Sequence, residues 1–201
     1  MTLYSVSQFE KNSSLIYVCH MLLRKHPFLI FLIGARASGK STLGRLLAEE
    51  LAFAFIDTDQ RIRAVGGLEV DEIVARSGWP AFRALENAVL RECVRPRTVV
   101  ATGGGMVLDP RNCEFMRATG TVFFLDAPAQ LLSSRLAETP RTQQRPSLTG
   151  LPPSEEIPRV LAEREPAYRA AAHHIVNATR PLPELVRELS NSIMQPGRRP
   201  L

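Results

Sequence analysis

The segment Gly34-Ala-Arg-Ala-Ser-Gly39-Lys40-Ser41 constrains the fold of this chain more than any other stretch. It is a GxxxxGK[ST] phosphate loop. Such a loop works between a strand and a helix N-terminus, where successive backbone N–H groups form an anion cradle. Both flanks are present. Phe28 to Ile33 (FLIFLI) is a continuous apolar run, as a strand covered on both faces shows. Ser41 to Leu51 carries Leu43, Leu46, Leu47 and Leu51 at helical spacing. Gly34, Ala35, Arg36, Ala37, Ser38, Gly39, Lys40, Ser41 and Thr42 are therefore candidate nucleotide-binding residues. Within them Lys40 neutralises the outer phosphates and the Ser41 hydroxyl reaches a magnesium ion.

The rest of the chain repeats the pattern of strand then helix. Phe53–Ile56, Thr98–Thr102, Thr121–Leu125 and His174–Asn177 read as further short strands. Helices are predicted over Val70–Arg76, Pro80–Val94, Pro128–Leu136, Ser154–Ala171 and Pro183–Ile193. Strands separated by helix-length segments, with no hairpin turns, predict an α/β fold: a parallel sheet of about five strands with helices on both faces. In such sheets ligands bind beyond the carboxyl ends of the strands. The 201 residues suit one domain.

Charge narrows the partners. Of 25 basic residues only Lys11, Lys25 and Lys40 are lysine, so the net charge of +5 is carried by arginine. Arginine offers a rigid donor fork for phosphate or carboxylate, which suits a small polyanion. The arginines are spread out, often beside Asp or Glu, so nucleic acid is not expected as a partner. No apolar run approaches the ~20 residues that span a bilayer, so no membrane partner is expected either. Cys19, Cys93 and Cys113 are odd in number and far apart, and read as reduced, mostly buried thiols of a cytoplasmic protein.

Two further strand ends carry chemistry. Asp57-Thr58-Asp59 closes the second strand. An Asp before a helix is often only an N-cap. Beside a phosphate loop, one carboxylate of such a pair can serve the magnesium shell and the other can orient a hydroxyl for attack. Gly103-Gly104-Gly105 closes the third strand, and without side chains it lets a ligand approach the backbone amides. Arg83 and Glu86 stand three apart on a helix, a spacing that a solvated ion pair also shows. His173 and His174 would face opposite sides of a strand, and Trp79 reads as a packing residue.

GARASGKS, DTD, WPAFRALE, GGG, RPSLTG and EREPAYR, in this order, resemble the shikimate kinases. The likeness runs from about Phe28 to Ile193 and is far more specific than the phosphate loop alone. It implies a three-layer P-loop kinase fold with a mobile lid, ATP and Mg²⁺ as cofactors, and ATP-dependent phosphorylation of the 3-hydroxyl of shikimate. It further implies that Asp59, Arg83, Gly103, Gly104 and Gly105 contact shikimate, with Arg169 joining Arg83 on its carboxylate. Lys40, Ser41 and Asp57 would serve phosphate and metal, Arg145 would reach over the phosphates from the lid, and Arg135 would lie near the adenine. Lys40, Asp59 and Arg145 form the implied catalytic set, acting in a monomer. Two other readings stand beside it: a kinase for another small hydroxy acid, gluconate-kinase-like, and a non-catalytic regulatory module on the same fold. The chain departs from the family in a longer lid, about 137–153, and in residues 1–26. That N-terminal stretch holds an apolar run, Leu15 to Leu23, but Arg24, Lys25 and His26 stand where a cleavage site would be. It is expected to be a poorly ordered extension, or to follow from a start codon upstream of Met21. Residues 195–201 are expected to be a frayed tail.

Overall fold

A computed structural model describes residues 28–138 and 151–194. The expected extension over 1–26, the tail from 195 and the centre of the expected lid, with Arg145, lie outside the described residues. The elements run β1 (Leu29–Ile33), α1 (Lys40–Leu51), β2 (Ala54–Asp57), α2 (Thr58–Gly66), α3 (Val70–Glu92) and β3 (Thr98–Ala101). A 3₁₀ turn (Met106–Leu108), α4 (Pro110–Thr119), β4 (Thr121–Asp126) and α5 (Ala129–Glu138) follow. The chain then forms α6 (Pro153–Ala171), β5 (His174–Asn177) and α7 (Leu182–Met194).

The five strands form one sheet in the order β2-β3-β1-β4-β5, and every pairing is parallel. β1 is the central strand, and all five of its side chains are fully buried, as its unbroken apolar run requires. At the edge, β5 leaves Ile175 52% exposed. Helix α1 packs on β1, β2 and β3 and against α7, while α4 and α6 pack on β4 and α5 packs on α6. No helix among the described residues is long and apolar enough to cross a membrane. Cys93 is buried and Cys113 half-buried, both as free thiols.

Two helices escape the apolar periodicity. α2 buries only Thr58 and Ile62, and α4 buries Asn112, Met116 and Thr119. Their signals lie instead at their starts. Asp57 caps α2, and Asp109 followed by Pro110 opens α4. The two helices predicted between Val70 and Val94 are one element broken at Gly78, whose φ of 75° and ψ of 169° lie outside the helical region. The break separates the two helical stretches that the sequence kept apart, and Pro80 resumes the helix just beyond it.

One joint of the sheet depends on a neutral histidine. Val122 N–H donates to His173 Nδ1 at 3.1 Å, and His173 N–H returns a bond to Val122 O at 2.8 Å. Burial, then Arg117, then His174 hold the His173 pKa below its usual 6.5. The unfolded chain therefore takes up this proton more readily, so stability is lost as pH falls below about 6.5 toward the lower folded value. His173→Asn offers an oxygen in place of Nδ1. The drop in melting temperature between pH 7.5 and pH 5 should be smaller in this variant than in the natural protein, as read by differential scanning calorimetry. An identical drop in both would show that His173 does not titrate against folding.

Candidate active site

The carboxyl ends of β1, β2 and β3 bring the predicted motifs together. After Ile33 the chain enters the phosphate loop, which includes left-handed backbone at Ala37 (φ 59°) and Gly39 (φ 92°) before α1 begins. Lys40 Nζ turns back into the loop, donating to Gly34 O at 2.9 Å, Ala35 O at 2.6 Å and Ser38 Oγ at 3.3 Å. Thr42 follows on α1 with its side chain exposed. Ser41 Oγ donates to Asp57 Oδ2 at 2.6 Å. The other oxygen, Asp57 Oδ1, accepts the N–H groups of Asp59 (3.0 Å) and Gln60 (3.2 Å). Asp57 is thus both an N-cap, worth about 1 kcal/mol, and a partner of the loop serine, on separate oxygens.

That pairing fits a magnesium ion. A hydroxyl and a carboxylate are hard oxygen donors, and Mg²⁺ at a kinase site takes one or two protein oxygens with phosphates and water filling the rest. Among the described residues no group of three or more His, Cys, Asp or Glu could hold a metal by itself. A metal here would depend on the nucleotide.

The glycines after β3 form the opposite wall. Gly103 N–H donates to the buried Thr58 Oγ1 at 2.9 Å, fixing the strip against α2. A Cβ built on Gly103 would lie 2.7 Å from Asp59 Oδ1 and 3.2 Å from Glu86 Oε1. One on Gly105 would lie 2.9 Å from Arg83 Nη2. Three charged side chains therefore close onto bare backbone. Arg83 donates to Glu86, which is 1% exposed. Burial raises the Glu86 pKa, and the nearby Arg83 and Arg164 oppose that rise. The Arg83 guanidinium also lies 5.3 Å from the Trp79 ring centre and 5.6 Å from that of Phe82. Trp79 is 41% exposed, so it covers Arg83 rather than filling the core.

Helix α6 completes the wall with residues the sequence did not single out. Gly104 O accepts Tyr168 Oη–H at 2.6 Å and Arg164 Nη1–H at 3.1 Å. Burial pushes the Tyr168 phenol up to about 12, so it keeps the proton that it donates. Arg169, the predicted partner of Arg83, does not join this group. It pairs with Asp126 at 2.8 Å and Glu165 at 2.7 Å, with its side chain 44% exposed. The helical repeat explains the difference: Arg164 and Tyr168 are four apart and share a face, and Arg169 is turned about 100° from Tyr168. The i, i+4 spacing within EREPAYR was the available signal. Arg135 Nη2 donates to Ala178 O at 3.2 Å, which places it at the carboxyl end of β5, three strands along the sheet from β3 and its glycine strip.

A family model described as shikimate kinase matches residues 36–194. The chain belongs to the shikimate kinase family. Shikimate kinase 2 of Dickeya chrysanthemi is 48% identical over 168 residues, which is 84% of this chain and 97% of that protein. The shikimate kinase of Oleidesulfovibrio alaskensis is 52% identical over 153 residues, 76% of this chain and 89% of that one. Among solved structures, a shikimate kinase from Acinetobacter baumannii in complex with shikimate superposes with a TM-score of 0.78 at 31% identity, covering 90% of this chain and 99% of that one. A gluconokinase from Sinorhizobium meliloti, at 22% identity and a TM-score of 0.52, shares the fold alone.

The two candidate arginines of α6 can be separated by binding. A guanidinium grips a carboxylate with two parallel bonds that lysine cannot copy. Arg164→Lys should weaken shikimate binding at least ~10-fold, equivalent to about 1.4 kcal/mol, and Arg169→Lys should change it less than about 2-fold, the effect of an exposed ion pair. Isothermal titration calorimetry reads both. The reverse order would return Arg169 to the site.

Proposed function

We propose that this shikimate kinase family member transfers the γ-phosphoryl group of ATP to the 3-hydroxyl of shikimate, giving shikimate 3-phosphate and ADP. The observation that carries the reading is the convergence of Asp59, Arg83 and Arg164 on Gly103–Gly105, beside the phosphate loop. An acid that also carries a hydroxyl needs this combination: two guanidiniums for its carboxylate and a carboxylate for its hydroxyl.

Phosphoryl transfer is mainly positioning and charge neutralisation. The loop N–H groups and Lys40 hold the outer phosphates. Ser41 and Asp57 would hold the magnesium ion, which supplies positive charge to the phosphate oxygens when bound. Arg83 and Arg164 hold the shikimate carboxylate and so fix the ring. Asp59 orients the 3-hydroxyl toward the phosphate and accepts its proton as the oxygen attacks. Arg145 is assigned to the phosphates from the lid, and Arg135 to the nucleotide base from the carboxyl end of β5. We read the enzyme as a monomer. The free thiols of Cys93 and Cys113 support the cytoplasm.

Release of ADP, followed in a coupled assay with and without shikimate, tests this reading. Turnover should require shikimate, and gluconate should not replace it. ADP release that is indifferent to shikimate would overturn the proposal. Asp59→Asn keeps the size of the side chain but neither accepts the proton nor provides charge. It should lower kcat by two orders of magnitude or more, on the scale of lost general-base catalysis, with a much smaller change in ATP binding. Collapse of ATP affinity with shikimate affinity preserved would instead assign Asp59 to the metal.

A further inference from the structure

The phosphate loop and the helix that carries Arg164 meet through an ion pair that none of the roles above uses. Arg36 Nη1 of the loop stands 3.6 Å from Glu156 Oε1, in the first turn of α6. Acidic residues in a first turn are ordinarily explained by attraction to the helix N-terminus. Glu155, next to it and exposed, fits that explanation. Glu156 does not, because it is 3% exposed, and burial of a carboxylate is unfavourable unless a cation goes with it. Arg36 is a cation beside it, with its own side chain four-fifths covered.

Arg36 also has a like-charged neighbour. Burial lowers its pKa, Glu156 raises it, and Arg164 is close enough to lower it again. Arg164 bonds Gly104 O at 3.1 Å, beside the loop, so the Glu156 carboxylate offsets a guanidinium that would otherwise repel Arg164. The backbone of Arg36 is near as well, since a Cβ built on Gly104 would lie 3.7 Å from Arg36 N. The Arg36–Glu156 pair joins the loop that holds the phosphates to the helix whose other residues form the wall assigned to the acid.

We propose that Glu156 is a positioning residue for the transfer: its carboxylate holds Arg36 against the first turn of α6, which keeps the phosphate loop and Arg164 at a fixed separation. This rests on the reading of Arg164 as a ligand of the substrate carboxylate. Without the charge of Glu156, Arg36 moves away from Arg164 and toward the phosphates, and the two substrates are no longer aligned. The loss then falls on kcat more than on the KM of either substrate.

A double-mutant cycle with Glu156→Gln and Arg36→Met tests this. If Glu156 acts through Arg36, its effect disappears once Arg36 is gone. Glu156→Gln should lower kcat at least tenfold in the natural background, with less than a threefold change in either KM, and should lower kcat less than threefold in the Arg36→Met background. The same four proteins are titrated calorimetrically with a non-hydrolysable ATP analogue, so that a background too slow to assay is still read. There Glu156→Gln should change affinity by about two- to threefold with Arg36 present and less than 1.5-fold without it. Equal effects in both backgrounds, or no effect in either, would overturn the proposal. Failure of the natural protein to phosphorylate shikimate would instead count against the function proposed above, and the calorimetric cycle would still report on the pair.

Discussion

The closeness with which side chains approach the backbone at Gly103–Gly105 governs the whole site. Asp59 arrives from α2, Arg83 and Glu86 from α3, and Arg164 and Tyr168 from α6. Only the glycine strip lets all of them reach one place. Its own position follows from the sheet: β3 is paired to β1, so the strip lies beside the phosphate loop by the same register that joins Ala101 to Leu32. The bond from Gly103 N–H to Thr58 then sets its distance from α2. The fold thus supplies adjacency, and the absence of three side chains turns adjacency into contact.

Charge follows from the same geometry. Two of the cations near the strip have an internal carboxylate: Arg83 has Glu86, and Arg36 has Glu156, while Arg164 is held by Gly104 O. Buried guanidiniums left without such partners would be costly. Held in this way they are placed before a ligand arrives, which is the arrangement that favours catalysis by preorganisation. Asp57 shows a comparable economy, capping α2 with one oxygen and engaging Ser41 with the other.

Motifs that lie on strand ends were legible in the sequence because their chemistry is local. The phosphate loop, Asp57–Asp59 and the three glycines each occupy one short segment, and a parallel sheet brings strand ends together without further information. Arg164 was not legible in that way. Choosing it over Arg169 requires knowing which face of α6 meets Gly104, and the burial of Tyr168 decides that. Glu156 was hidden for a similar reason, since an acid in a first turn has an ordinary explanation until its burial is known. Helices α2 and α4 were missed because short helices over a crowded sheet bury few apolar groups, and their caps carry the signal that the apolar pattern lacks.

Gly103→Ala tests the dependence on the glycine strip most directly. The added Cβ would lie 2.7 Å from Asp59 Oδ1 and 3.2 Å from Glu86 Oε1. Both are side-chain ends that can move aside, so the fold should survive with a melting temperature close to that of the natural protein. Displacing a reacting carboxylate by about 1 Å costs on the order of 100-fold in rate. A fall in kcat of that size is expected for shikimate phosphorylation by a folded, ATP-binding variant. A Gly103→Ala protein that turns over at close to the natural rate would contradict it.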